Sequence, residues 1–300
     1  MIATLPPVPH TDFVFPVAVW LGLLAAGLLQ MVCYFSLALP KRRAWWTPLR
    51  LVPLMLLPWL LYTVPAGLFQ WRALLTLLAL FALAAFWFRL IPRGWWADLG
   101  FVLFMAAPVL LHLFELLYPS PAPKLPLGTL AHVAWIQIGL ATILNERRID
   151  PGFGFWPQAR EWRIGLLWYL AVLPIVAVLA LGLGFAHFEL PATAIKYAAA
   201  FATFFGILWV VALSEEFFFR GLLQQWFEHW SGSAAVGLLL ASLLFGAAHL
   251  GFREFPNWRF ALTAAVSGVA YGMAYRKGGG IRAAMVTHAL LVTTWRTFFR

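Results

Sequence analysis

Charged residues are scarce in this sequence, and cysteine occurs only once. Of its 300 residues, 11% are charged and 63% are hydrophobic, whereas globular domains average about 25% and about 45–50%. A water-soluble core of this size could not bury so much apolar surface, so most of the chain must be solvated by lipid. The lone Cys33 cannot form an internal bridge, which excludes a disulfide-stapled fold.

Acidic residues are also few, and the formal net charge is +10. The Lys and Arg residues stand in short groups between apolar runs, such as 41–43 and Arg147-Arg148, and do not form one continuous basic face. Basic connections held against anionic lipid headgroups account for this pattern. We therefore expect the lipid bilayer as a partner and do not expect nucleic acid.

Long apolar runs dominate what is present. About 20 apolar residues cross a hydrocarbon layer of about 30 Å, and the runs lack the period-2 alternation of strands. The sequence predicts an all-α, polytopic transmembrane helix bundle of about ten spans. Because the fifth run is short, nine spans are an alternative. The ten runs are 14–39, 51–69, 73–91, 99–118, 129–144, 164–185, 194–225, 234–250, 260–275 and 281–298.

Two breaks divide these runs into three groups. A proline-rich connection at 119–123 and a polar, tryptophan-containing segment at 151–163 interrupt the apolar pattern. We predict an N-terminal block of about four spans at 1–122, followed by two further spans with an interfacial segment at 123–192. The last group, 193–300, is predicted to be a core of four spans that carries the chemistry.

The most informative segment is Glu215-Glu216-x-x-x-Arg220, in the seventh run. The apolar residues of 201–220 favour insertion by about 3–7 kcal/mol, whereas two Glu and one Arg oppose it by about 8–10 kcal/mol. The charged groups must therefore face a polar cavity or one another. Glu216 and Arg220 share a helical face and are expected to pair, which leaves Glu215 for proton transfer. An ion pair that only fixes helix packing is the alternative.

Two histidines in later runs can approach these glutamates. If the helices turn at 231–233, Glu215 lies about 24 Å and His249 about 27 Å from that turn. His288 is nearer to its own turn at 278–280, so a tilt is needed to bring it level. A single such histidine is more often a packed core residue, but five ionisable side chains in a charge-poor bundle favour a functional site.

The order and spacing of these residues resemble the motifs of the CPBP family of intramembrane proteases. That family holds the type II CAAX prenyl endopeptidases and the bacterial Abi-type immunity proteins. The flanking stretches 219–223 and 271–276 agree with it, and the resemblance covers about residues 195–300. The matching motifs are Glu215-Glu216-x-x-x-Arg220, Phe245-x-x-x-His249 and His288.

One position departs from the family pattern. The family usually carries Asn or Asp four residues after the last histidine, and this chain has Val292 there. A valine side chain cannot donate a hydrogen bond to a developing oxyanion. The departure indicates another donor, a lower activity or a noncatalytic relative.

The resemblance implies an intramembrane endopeptidase that cleaves a membrane-anchored protein or peptide without a cofactor, in a plasma or bacterial inner membrane. We hypothesise that Glu215 takes a proton from water held between it and His249, and that the hydroxide attacks the scissile carbonyl. Glu216, paired with Arg220, fixes the helix face, and His288 donates to the oxyanion. These five residues are the catalytic candidates.

Two other functions are compatible with the sequence. A zinc peptidase could bind metal through Glu215 or Glu216 with His249 and His288, since two His and one carboxylate form an accepted catalytic set. The H-E-x-x-H helix is absent, however. A noncatalytic membrane scaffold or immunity protein is the second alternative, and Val292 is the feature that favours it.

Overall fold

A chain solvated by lipid must satisfy its backbone hydrogen bonds internally, and a helix does so within one segment. The computed structural model describes residues 16–122, 125–191 and 193–299. In these ranges all regular elements are helices. The β-type pairing within them is a single isolated bridge between Phe188 and Phe299. The all-α prediction is confirmed. The start of the first predicted run and the residues 123 and 192, at the predicted boundaries, lie outside the described residues.

The N-terminal half consists of helices whose bounds follow from proline and backbone geometry. Pro48 begins the second helix, at a position where no N–H is needed. His112 adopts a left-handed conformation (φ 51°) and so divides the fourth predicted run into two helices. The elements are α1 (Val17–Ala38), a 3₁₀ helix (Pro40–Trp45), α2 (Pro48–Thr63), α3 (Trp71–Leu90), α4 (Trp95–Leu110), α5 (Leu113–Leu117), α6 (Gly128–Thr142) and a π-helical turn (Ile143–Arg147).

Polar caps and glycines set the helix ends of the C-terminal half. The Glu161 carboxylate accepts a hydrogen bond from the Gln158 N–H at the start of the seventh helix. Gly279, at φ 83°, ends the twelfth helix where the glycine-rich turn is predicted. The elements are α7 (Ala159–Gly182), α8 (Ala194–Gly206), α9 (Leu213–Glu216), α10 (Gln225–Ser231), α11 (Ala234–Ala248), α12 (Trp258–Gly278) and α13 (Ile281–Phe298).

The helix that carries the glutamates is continuous over 38 residues but is not uniform. We call this run, Ala194–Ser231, the glutamate helix. Between its α-helical parts lie two π-helical stretches, Ile207–Ala212 and Phe217–Gln224. They leave only Leu213–Glu216 in regular α geometry between them. Such π-helical insertions change which side chains share a face, and they frequently occur at functional sites.

Within the described ranges, four helices are long and apolar enough to cross a bilayer: α1, α3, α7 and the glutamate helix. Shorter apolar helices are α2, α4 and α11. Each of the ten predicted runs contains a helix, but the length and hydropathy of the others do not establish ten spans. Large apolar side chains point outward from these helices, for example Leu21 in α1 and Val178 in α7, as expected for surfaces solvated by lipid.

One ion pair joins the N-terminal block to the connection before α7, and another joins α7 to α13. Arg43, in the 3₁₀ helix, binds Asp150 at 2.6 Å. Arg282, at the start of α13, binds Glu161 of α7 at 2.8 Å. The indole N–H of Trp209 donates a hydrogen bond to the Phe155 carbonyl, in the same connection that contains Asp150. The first π-helical stretch, just before the glutamates, is therefore held by a fixed part of the fold.

Candidate active site

Close packing brings the glutamate helix against α6. Gly139 of α6 faces the ring of Phe217, and a Cβ at this glycine would lie only 2.9 Å from that ring. A larger residue at this position would push the two helices apart. The glutamates are thereby held in the interior of the bundle, where Glu216 is fully buried.

Glu216 and Arg220 form the ion pair that their spacing predicts. The Arg220 Nε lies 3.2 Å from the Glu216 Oε2, and both side chains have no exposed surface. Arg220 also donates to the carbonyl of Gly268 on α12, at 2.8 Å. Its guanidinium lies over the rings of Phe245 and Tyr271, at 4.8 and 5.3 Å from their centroids. These contacts give a buried cation several compensating interactions.

His288 contacts both glutamates. Its Nδ1 lies 2.7 Å from the Glu216 Oε1, and its Nε2 lies 3.8 Å from the Glu215 Oε2. The imidazole is 3% exposed and stacks on Tyr271, with ring centroids 4.5 Å apart and planes 9° from parallel. A carboxylate only accepts hydrogen bonds, so the Nδ1 carries a proton and donates it to Glu216. The orientation of the His288 ring is thus fixed by Glu216 at its edge and by Tyr271 on its face.

Glu215 is the accessible member of the cluster. Its side chain is 30% exposed, whereas that of Glu216 is fully buried. The Glu215 Oε2 atom is nevertheless buried and has no hydrogen-bond partner among the described residues. The Glu216 Oε1 is held by His288, whereas the Oε2 atoms of both glutamates have no hydrogen-bond partner among the described residues.

His249 lies at the edge of this cluster. It caps α11, and its Nδ1 is 2.7 Å from the Phe245 carbonyl. Within the described residues, no polar contact shorter than 4 Å joins it to a glutamate. The ring of Phe245 touches both histidines, with centroids 4.7 Å from His249 and 6.0 Å from His288. The structure thus brings four candidates together by polar contacts, and His249 joins them through an aromatic ring.

The sequence predicts that Glu215 and His249 lie at similar distances from the turn at 231–233, but the two side chains are not in direct contact. Helix α11 ends at Ala248, so the imidazole sits beyond the last turn rather than on the helix face. The π-helical stretches rotate the glutamates relative to a regular helix, and α13 then presents His288 to them. His288, which was expected to need a helix tilt to reach the glutamates, is therefore the histidine that contacts them.

Two supporting residues were noted in the sequence only as flanks of the family motifs. Tyr271 supports the His288 ring, and Phe245 separates the two histidines. Gly268 was not singled out at all, although a Cβ there would lie 3.3 Å from the Arg220 Nη2. A small residue in an apolar helix near a buried arginine is a weak signal, and only the packing reveals its use.

Val292, four residues after His288, has a side chain that cannot form a hydrogen bond. It packs half-buried against the apolar core. The next two residues differ in their bonding: the Thr294 hydroxyl lies 2.8 Å from the Tyr169 hydroxyl, whereas the Thr293 hydroxyl is buried without a partner in the described part of the chain.

The described ranges contain no group of three or more His, Cys, Asp or Glu side chains arranged to hold a metal ion. Glu215, Glu216 and His288 lie together, but the His288 Nδ1 is hydrogen-bonded to Glu216 and is not free to bind a metal ion. Its Nε2 and the Oε2 of Glu215 are the atoms of this set that could reach a ligand.

Comparison with known proteins gives one match. Residues 197–294 match the family model described as type II CAAX prenyl endopeptidase, Rce1-like. No curated protein and no solved structure matches the chain. The matched region begins in α8, ends in α13 and includes all five candidate residues, and helices able to span a membrane lie within and before it. The resemblance predicted from the motifs is confirmed over residues 197–294, the last third of this membrane protein, which match the Rce1-like family model.

Proposed function

We propose that the chain is a multi-pass intramembrane endopeptidase, which hydrolyses a peptide bond in a membrane-associated protein by means of a water activated by Glu215. The observation that carries this proposal is a continuous line of ionisable groups in an apolar bundle: Arg220, Glu216, His288 and Glu215. Ionisable groups at such depth are costly, and they are retained chiefly for function. Only Glu215, at the end of the line, reaches open space.

The charges of this line balance when His288 is protonated. Two carboxylates then face one guanidinium and one imidazolium, and the sum is zero, which suits a site of low dielectric. The Nδ1–H of His288 is taken by Glu216, so its Nε2–H points toward Glu215. At 3.8 Å this second distance is too long for a hydrogen bond, but one water can bond to both groups.

The hydrolysis follows from these positions. Glu215 takes a proton from the water, and the oxygen of that water bonds to the carbonyl carbon of the scissile peptide. The Nε2–H of His288 donates to the oxyanion, a contribution that is typically worth about 10²–10³ in rate. Glu215 then returns the proton to the leaving amine as the C–N bond breaks. No covalent intermediate and no cofactor are required.

We assign His249 to the orientation of the water or of the leaving amine. Its Nδ1 donates to the Phe245 carbonyl, which leaves the lone pair of the Nε2 as an acceptor. Glu216 and Arg220 are positioning residues in this proposal, because they act through His288. This assignment replaces the sequence hypothesis that the water is held between Glu215 and His249.

We also propose the finer architecture. Ten spans are favoured because every predicted apolar run contains a helix. The less hydrophobic α12 and α13 line the polar site and bury many of their residues. The three predicted regions, 1–122, 123–192 and 193–300, then serve as an accessory block, a brace and a catalytic core. A plasma or bacterial inner membrane is the expected location.

A noncatalytic scaffold is the second candidate, and Val292 is the observation that favours it. Without an amide at this position, the oxyanion has one donor fewer than in the family pattern. Such a chain would bind membrane-anchored peptides in the same cavity and release them uncleaved. Retention of a membrane-anchored peptide without new termini would select this function.

Peptide cleavage that resists chelation is the expected behaviour of the purified chain. Wild-type protein in lipid vesicles with membrane-anchored peptides should yield new termini by mass spectrometry. The same yield is expected with a zinc chelator, because every catalytic step is assigned to side chains. Loss of cleavage with the chelator and its recovery with added zinc would instead identify the zinc peptidase.

Replacement of Tyr271 by leucine is expected to lower kcat by about 10–100-fold with little change in KM. The stacked ring holds the His288 imidazole in line with Glu215, and small misplacements of catalytic groups have effects of this size. Tyr271→Phe keeps the ring and should retain nearly the wild-type kcat. Equal kcat values for the leucine and phenylalanine variants would exclude a positioning role for the ring.

A further inference from the structure

A second polar site lies at the far end of the two helices that carry the active-site groups. A cavity of about 310 Å³ opens between the start of α8 and the end of α13. Residue Arg296 lies eight positions beyond His288 on α13, or about 12 Å along the helix. The cavity is therefore separate from the Glu215–His288 site. The bridge between Phe188 and Phe299 closes one side of it.

The cavity walls carry two cations. Lys196 projects from α8 and Arg296 from α13, and both are exposed. Neither forms an ion pair within 4 Å with any described residue. The Thr203 and Thr297 side chains line the same space. Two cations that line one cavity form a suitable environment for an anionic oxygen ligand such as a phosphate.

Exposed apolar side chains surround this polar cavity. Ile195 is 74% exposed and Phe201 is 70% exposed, and no residue of α8 is buried. Phe188 and Leu190, before α8, are also exposed. In a membrane protein such surfaces contact acyl chains, while Lys and Arg at the helix ends contact headgroups. The required ligand therefore has an anionic head and apolar tails.

We propose that this cavity binds the phosphate group of a glycerophospholipid, with Lys196 and Arg296 as the ligands of the phosphate. The acyl chains lie along the exposed face of α8. Glu189 lies in the same wall. The exposed apolar face of α8 beside the cavity favours a phosphate that carries acyl chains over free phosphate. This site does not depend on the proposed catalysis.

Lipid binding to the full-length chain in detergent micelles tests the proposal. Native mass spectrometry with added dioleoylphosphatidylglycerol should show one tightly retained lipid. The affinity should fall about 30-fold in the Lys196→Gln/Arg296→Gln double variant, because each cation contributes about fivefold near an anionic headgroup. The matched control is Arg163→Gln/Lys277→Gln, which removes two exposed cations, one near the start of α7 and one at the end of α12, and should leave the affinity unchanged.

Three results would overturn the assignment. Equal affinities for the two double variants would show that Lys196 and Arg296 do not hold the lipid. Displacement of the lipid by millimolar inorganic phosphate would identify a site for free phosphate. Displacement by a peptide with a free C-terminal carboxylate, at the concentration of the lipid, would identify a peptide site. If the Lys196→Gln/Arg296→Gln variant fails to fold, the phosphate and peptide competitions with wild-type protein still show whether the site binds a lipid, free phosphate or a peptide.

Discussion

Replacing Arg220 by methionine should destabilise the chain by about 3–5 kcal/mol, the usual cost of breaking a buried ion pair by removing one partner. Both partners are fully buried, so the carboxylate of Glu216 would lose its cation with no access to water. The bond to the Gly268 carbonyl would be lost as well. The free energy of unfolding in mixed detergent micelles measures the effect.

A double variant separates the ion pair from simple packing. In Glu216→Gln/Arg220→Met the buried carboxylate and the buried guanidinium are removed together, so most of the lost stability should return. Peptide cleavage should stay low in this variant, because a neutral amide in place of the Glu216 carboxylate would no longer hold the His288 imidazolium. A single Arg220→Met variant as stable as the wild type would contradict the account of the buried pair.

Replacing Glu215 by glutamine should lower the rate of peptide cleavage by about 10²–10⁴, the range for loss of a general base. The amide has nearly the same shape but cannot take a proton from water. Because Glu215 is partly exposed and makes no ion pair shorter than 3.8 Å among the described residues, stability should change little. Initial rates with a membrane-anchored peptide in vesicles measure the effect.

Ser214 supplies the matched control. Its hydroxyl donates to the backbone carbonyls of Val210 and Val211 and is not directed at the cluster. Ser214→Ala should therefore retain the wild-type cleavage rate although it alters the residue beside the general base. A large loss of rate in Ser214→Ala with an unchanged rate in Glu215→Gln would point to a serine nucleophile.

Helix positions could be predicted from the sequence because lipid solvation leaves few choices. An apolar run in a bilayer must be helical, and glycine or proline at its ends marks a stop, as Gly279 does for α12. The break at His112 could not be foreseen, since a left-handed histidine has no distinctive local pattern. Span number is harder still, because short helices such as α2 fall below the length of a full crossing.

The composition of the site was predictable, but the contacts within it were not. The free-energy cost of membrane insertion singles out Glu215, Glu216 and Arg220, because no other side chains in that run oppose insertion so strongly. Depth arithmetic assumes a rise of about 1.5 Å per residue, and the π-helical stretch Phe217–Gln224, between Glu215 and the turn at 231–233, departs from that regular geometry. The choice between His249 and His288 depends on that local geometry, so only the structure could report it.

The central claim is that Glu215 makes this chain an endopeptidase, and newly formed protein termini in membranes test it most directly. Membranes that contain equal amounts of the wild-type or the Glu215→Gln chain can be compared by mass spectrometry of protein termini. We predict new termini in membrane-anchored proteins with the wild-type chain and their loss with Glu215→Gln. The same new termini with both chains, or none with either, would contradict the account.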